Sequence, residues 1–233
     1  MNKNKYRHIF FDLDDTLWDF RRNSSETLHD LYYKYNLKKA GINSPEDFIS
    51  KYQERNSMMW EQYRLGAIDK DTLRNKRFEL TFWDMGIDPS VVPRGMAEDY
   101  ITISPTRTNL YPYAHEILFW LSEKYSLHII TNGFKEVQDI KLSSCGIKKY
   151  FSSIIISELT GFKKPDVRIF QYALTEAGAI AEESIMIGDG LEVDIAGARN
   201  SGIDQVFFNP DGLQYNHQIT HEIKSLKELQ NIL

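Results

Sequence analysis

Five short apolar runs punctuate the chain: 6–12, 127–131, 154–157, 184–188 and 205–209. Each is bounded by turn-forming residues and rich in β-branched or aromatic side chains, the pattern of strands buried on both faces. Segments with helical periodicity lie between the later runs, over 134–145, 166–178 and 194–201, and another over 113–123 precedes the second run. Alternating strand and helix predicts a parallel sheet with right-handed crossovers. Residues 18–107 break the alternation. They contain helical stretches over 45–64 and 69–85, parted at Gly66, and no strand pattern, while Pro89, Pro93 and Pro105 punctuate the exit. The predicted architecture is therefore α/β: a doubly wound parallel sheet built from 1–17 and 108–233, with a helical unit inserted over 18–107.

Composition narrows the classes of function. With 233 residues, 42% apolar and 26% charged, the chain can bury a sizeable core and carries no signature of disorder. A net charge of −5, with only the short basic pairs Lys38-Lys39 and Lys148-Lys149, argues against binding nucleic acid. A small anionic ligand stays compatible with an acidic protein that holds a local positive site. The basic trio Lys3, Lys5 and Arg7 followed by Ile9-Phe10-Phe11 resembles the start of a signal peptide, but the apolar stretch stops at Asp12. No run approaches a membrane span. The single cysteine, Cys145, fits a reducing compartment and reads as a small packing residue. A cytoplasmic protein without a membrane partner, monomeric or weakly dimeric, is expected.

In an open α/β sheet, ligands bind beyond the carboxyl ends of the strands. Polar residues stand at those positions. After the first run come Asp12 and Asp14, which in extended chain would project to one side and require a cation between them, Mg²⁺ suiting an oxygen site beside phosphate. An acidic turn with Thr16 capping a helix is the plainer alternative. After the second run come Thr131, Asn132 and Gly133, which offer hydroxyl, amide and backbone donors to an anion at a helix start, or a simple cap and turn. Lys164, held beside Pro165, could neutralise carboxylates and grip a phosphoryl oxygen, or be a solvated loop lysine. After the fourth run, Asp189 and Asp194 could converge on a cation, or form a turn and an N-cap. The four groups fall on one predicted sheet edge, and each supplies what the others lack.

Asp12-x-Asp14-x-Thr16, Thr131, Lys164-Pro165 and Gly188-Asp189 with Asp194 resemble, in order and spacing, the four motifs of the haloacid dehalogenase (HAD) superfamily. The helical insertion resembles a C1 cap. The resemblance implies an Mg²⁺-dependent phosphatase. Asp12 is the implied nucleophile and Asp14 the acid and base. Thr131 and Lys164 would bind phosphoryl oxygens, and the metal would be held by Asp12, the Asp14 carbonyl and Asp189. Many relatives carry Ser or Thr where Gly190 stands here, so a supporting hydroxyl is missing. The stretch 60–68, with Arg77-Phe78 and 130–134, is similar to the bacterial pyrimidine 5′-nucleotidases of this superfamily, which implies a nucleotide as the small phosphorylated substrate. Trp18, Phe20, Trp60 and Tyr63 could then stack on a base, or else pack helices together. A sugar-phosphate phosphatase, a phosphomutase, a haloacid dehalogenase and a non-enzymatic binding module are the alternatives. Asp14 argues against the dehalogenase, which needs no second acid, and the full complement of catalytic residue types argues against the binding module.

Overall fold

A computed structural model describes residues 5–216 and 218–233; Lys3 lies outside them. Strand β1 (His8–Phe11) is followed by helices α1 (Phe20–Lys34), α2 (Pro45–Arg64), α3 (Lys70–Asp84) and α4 (Met96–Ile103). The chain then runs through α5 (Ala114–Ser122), β2 (Ser126–Thr131), α6 (Lys135–Ser144), β3 (Phe151–Ile156), α7 (Ser157–Thr160) and α8 (Val167–Ala177). It closes with β4 (Ser184–Gly188), α9 (Ala196–Asn200), β5 (Asp204–Phe208), β6 (His221–Ile223) and α10 (Leu229–Ile232). Two compact units result, one reaching to Phe20 and resuming over Thr108–Leu233, the other formed by Arg21–Arg107. Trp18 and Phe20, expected in the helical unit, thus belong to the sheet unit.

Among the described residues the sheet has six strands, ordered β3-β2-β1-β4-β5-β6 and parallel throughout. Successive side chains of a strand face opposite sides, and here both sides are apolar. Ile9 and Phe11 join a core with Leu118, Leu142 and Leu229 of α5, α6 and α10. Phe10 joins a second core with Phe170 and Ala173 of α8 and Ala198 of α9. Helices therefore cover both faces, as a doubly wound sheet requires. The order of connection reverses at β1, so the crevice for a ligand lies beyond the carboxyl ends of β1, β2 and β4.

The third strand begins at Phe151, earlier than its apolar run, and Ser157 already belongs to α7. The three-residue β6 has no run long enough to signal it. The first two residues of the segment 194–201 depart from α geometry. Residues Leu191–Ile195 form a π-helical turn, because the Gly190 carbonyl accepts from the N–H groups of Val193, Asp194 and Ile195 at 3.2, 2.7 and 3.1 Å.

A buried imidazole crosses the centre of the sheet. His128 on β2 shares one nitrogen with His8 Nδ1 at 3.1 Å and the other with Ser153 Oγ at 2.7 Å, and its ring stacks on Phe10. Burial, then the neighbouring His8, pushes its pKa down to about 4. The native state holds it neutral, whereas the unfolded chain protonates it near 6.5. Its contribution to stability is complete above that value and is lost as pH falls through 4. The full loss amounts to about 3 kcal/mol for one group. In urea melts between pH 7 and 4, His128→Gln should lose less stability than the wild type; parallel decline would refute this.

The helical unit has its own core of Leu28, Leu31, Phe48, Tyr52, Phe78, Phe82, Met96 and Tyr100. Ser44, followed by Pro45, accepts from Asp47 N to start α2, and Asp69 accepts from Thr72 N to start α3. Arg55 of α2 and Asp84 of α3 pair across the two helices. Arg77 is buried, stands 4.7 Å from the Tyr100 ring centre and donates to Asn56 Oδ1 at 3.0 Å.

Candidate active site

The segment after β1 turns back on itself within a few residues. The Asp12 N–H still donates to Ile187 O of β4 at 2.9 Å, but the N–H groups of Leu17 and Trp18 both turn back to Leu13 O. Asp15 sits in left-handed backbone, φ 59°. Among the described residues Asp12 gathers most closely with Asp189 and Asp194, while the Asp14 carboxylate, near enough for its charge to act on Asp12, is engaged by side chains of α6. Asp12 faces β4 and Lys164, whereas Asp14 faces α6.

Asp12 meets Asp189 and Asp194 at the strand ends, and one carboxylate oxygen from each lies within 4.8 Å of the others. Lys164 is 2% exposed and stands between two of the acids, with Nζ 2.5 Å from Asp12 Oδ1 and 2.7 Å from Asp194 Oδ1. Its third contact is the Ile130 carbonyl at 2.7 Å. Asp194 Oδ2 accepts from Gly190 N at 2.9 Å. A Cβ on Gly188 would lie 2.5 Å from that same oxygen, so only glycine lets the strand end pass Asp194. Thr16, fully buried, donates to Asp189 Oδ1 and accepts from Asp189 N, both at 3.1 Å. It thereby ties the first motif to the fourth.

Burial raises the pKa of Asp12 to about 7 against the opposing pull of Lys164, with Asp194 and Asp14 adding to the rise. Asp189 is raised well above the carboxylate range, first by burial and then by Asp12 and Asp194. Burial lowers the Lys164 pKa, but Asp12 and Asp194 together outweigh it and the net direction is upward. Ionising all three carboxylates beside the single ammonium would leave two uncompensated negative charges in a desolvated pocket, which is why burial and mutual repulsion raise Asp12 and Asp189. Such a site fits one hard divalent cation with oxygen ligands.

Asp14 is held from the other side. Lys141 Nζ lies 2.6 Å from its Oδ1, and Gln138 Nε2 donates to its Oδ2 at 2.9 Å. Gln138 Nε2 also donates to Thr131 Oγ1 at 2.6 Å. Gly133 is obligatory at this point, since a Cβ there would come within 2.1 Å of the Gln138 amide nitrogen. Sequence reasoning did not single out Gln138, Lys141 or the bridging role of Thr16. The signal was present for the first two: they share the inward face of α6 with Leu142 and Cys145, where a polar residue needs a partner.

Several expected roles change. Asn132 was expected to offer donors to phosphate; instead its Oδ1 accepts from Lys164 N at 2.8 Å and its Nδ2 donates to Lys164 O at 3.0 Å, fixing the lysine backbone. The Gly133 N–H donates to Thr131 Oγ1, and the Lys135 N–H at the start of α6 donates to Glu158. Trp18 is fully buried in the sheet core and carries Lys141 Nζ 4.3 Å above its ring, so it has no face free for a base. Phe20 packs against that core, at 6.1 Å from Trp18. In the helical unit Trp60 and Tyr63 contact each other edge to face, Trp60 half-buried and Tyr63 buried. Burial pushes the Cys145 thiol up to about 11, as befits a packing residue. At Gly190 a Cβ would stand 2.9 Å from Asp194 Oδ2, so a hydroxyl side chain would crowd that acid as the backbone now runs.

Comparison with known proteins agrees with this geometry. Residues 6–202 match the haloacid dehalogenase-like hydrolase family. The pyrimidine 5′-nucleotidase PynA of Streptococcus pneumoniae is 32% identical, over 98% of this chain and 95% of its own length. The pyrimidine 5′-nucleotidase YjjG of Escherichia coli is also 32% identical, over 98% of each chain. The crystal structure of the Bacillus subtilis HAD-hydrolase YfnB bound to magnesium superposes with a TM-score of 0.87 at 29% identity, covering 98% of both chains. No helix among the described residues is long and apolar enough to cross a membrane. With the family match spanning most of its length, the chain belongs to the haloacid dehalogenase-like hydrolases.

Proposed function

We propose that the protein is an Mg²⁺-dependent phosphomonoesterase that works through a phosphoryl group carried on Asp12, and that its substrate is a pyrimidine nucleoside 5′-monophosphate. The observation that carries the first part is the gathering of Asp12, Asp189 and Asp194 around Lys164 at the sheet's switch point. Bound there, Mg²⁺ would supply charge neutralisation for the phosphoryl oxygens. Asp12, Asp189, the Asp14 carbonyl and, directly or through water, Asp194 would hold it. Asp12 has one oxygen on Lys164, and its other oxygen attacks phosphorus. The bond from phosphorus to the ester oxygen breaks, and that oxygen takes a proton from Asp14. Water then attacks the Asp12-bound phosphorus and gives a proton back to Asp14, releasing phosphate and restoring both acids. Thr131 and Lys164 steady the transferred oxygens.

The nucleotide reading draws support from the two relatives named as pyrimidine 5′-nucleotidases. A cytoplasmic enzyme acting on a small metabolite accords with the net charge of −5. The test is release of inorganic phosphate from UMP, dTMP, purine monophosphates, triose phosphates and hexose phosphates, with Mg²⁺ or with chelator. We expect Mg²⁺-dependent release, fastest with the pyrimidine nucleotides. Silence towards every ester under Mg²⁺ would reject a phosphatase, and faster turnover of the sugar phosphates would reject the nucleotidase alone.

A further inference from the structure

Lys141 is a buried ammonium that the proposed phosphoryl chemistry does not use. It is 6% exposed, reaches from α6 to Asp14 Oδ1 at 2.6 Å, and stands 4.3 Å from the ring centre of Trp18 and 5.8 Å from that of Phe20. A desolvated lysine on an aromatic face is held by cation–π attraction as well as by its ion pair. Three residues earlier, on the same face, fully buried Gln138 donates to Asp14 Oδ2 and to Thr131 Oγ1. Both oxygens of Asp14 are thus held by one helix, and turning the carboxylate would break both contacts. The bracket serves no fold-wide purpose that packing alone would not meet: an apolar pair on α6 would fill the same core without the cost of burying an amide and an ammonium.

We infer that Lys141, seated on Trp18 and seconded by Gln138, is a positioning residue that aims the Asp14 carboxylate at the leaving-group oxygen. The inference rests on the reading of Asp14 as the proton donor. It assigns Trp18 a function in the core of the sheet unit. Gln138 ties the aim of Asp14 to Thr131, on the phosphate-binding side.

Proton donation matters most when the leaving oxygen is basic. A poor leaving group such as an alkyl alcohol needs it, and 2,4-dinitrophenolate does not. Rates for UMP and for 2,4-dinitrophenyl phosphate should therefore be measured for the wild type, Asp14→Asn, Lys141→Met and Lys141→Gln, with circular dichroism melts to confirm folding. Asp14→Asn should lose about 10²–10⁴-fold on UMP, the range of general acid catalysis, and far less on the aryl ester. Both Lys141 variants should lose about 10–100-fold on UMP and about threefold or less on the aryl ester. Lys141→Arg, which keeps the charge and the stacking, should recover part of the UMP rate. Equal losses on both esters, or none on either, with Asp14→Asn still selective, would overturn the positioning role and leave the phosphatase reading intact. If Asp14→Asn is itself unselective, the reading of Asp14 as proton donor falls, and the role of Lys141 falls with it.

Discussion

Asp12→Asn is expected to reduce phosphate release by at least about 10⁴-fold, the scale on which enzymes lose a covalent nucleophile, while the protein stays folded. The two halves of this expectation have separate causes. A neutral carboxamide cannot form the acyl phosphate that Asp12 would carry, and neither Asp189 nor Asp194 stands free to replace it. Asp189 is tied to Thr16, and Asp194 to Lys164 and Gly190 N. The fold survives because burial already disfavours the charged form of Asp12 and raises its pKa to about 7. A neutral amide of the same shape escapes that penalty. Without metal, the stability linked to Asp12 is fullest at low pH and falls as pH rises through about 7. In chelator at pH 8 the variant should therefore melt no lower than the wild type. A variant that keeps turnover, or that unfolds, would contradict the account at different points, the first on chemistry and the second on packing.

Lys164→Met should damage both properties. Lys164 is 2% exposed and bonds Asp12, Asp194 and the Ile130 carbonyl. Removing it leaves buried Asp12 and Asp194 beside half-buried Asp189 with no ammonium among them. Loss of one partner from a buried ion pair costs about 3–5 kcal/mol. For a chain of this size that is a fall in Tm of roughly 6–20 °C. Turnover should drop about 10²–10³-fold, as when a charge-stabilising donor is removed from an active site. Mg²⁺ should restore part of the melting temperature by neutralising the cluster, but not the rate, because the phosphoryl oxygen loses its grip. Thermal melts with and without Mg²⁺, alongside phosphate release, separate the two. A variant as stable as the wild type in chelator would show that the acids are not crowded as described.

The sheet was legible because its strands are buried on both faces and so read as unbroken apolar runs, as in 184–188. The long helices of the insertion were legible as helical stretches without strand pattern, parted at Gly66, and the structure starts them at the caps Ser44 and Asp69. What periodicity could not convey was local backbone choice. Asp15 takes left-handed backbone in the turn after Asp14, and a π-helical turn follows Gly190, whose N–H meets Asp194 Oδ2. Neither is a matter of hydrophobic pattern. Composition also misled where one residue type serves two ends. Trp18 has the chemistry to stack on a base, yet it lies in the core because its neighbours Leu13 and Leu17 pull the whole turn inward. Asn132 has the chemistry to bind phosphate, yet both ends of its amide are engaged by the backbone of Lys164.

If Asp12 carries the phosphoryl group in the course of turnover, the modified side chain can be trapped. Rapid quenching of the wild-type protein during UMP hydrolysis in Mg²⁺, followed by peptide mass spectrometry, addresses it directly. The added mass of one phosphoryl group is expected on the peptide containing Asp12, localised to that side chain and missing from Asp12→Asn. Steady phosphate release with Asp12 unmodified at every quench time, or the phosphoryl group found on another residue, would contradict it.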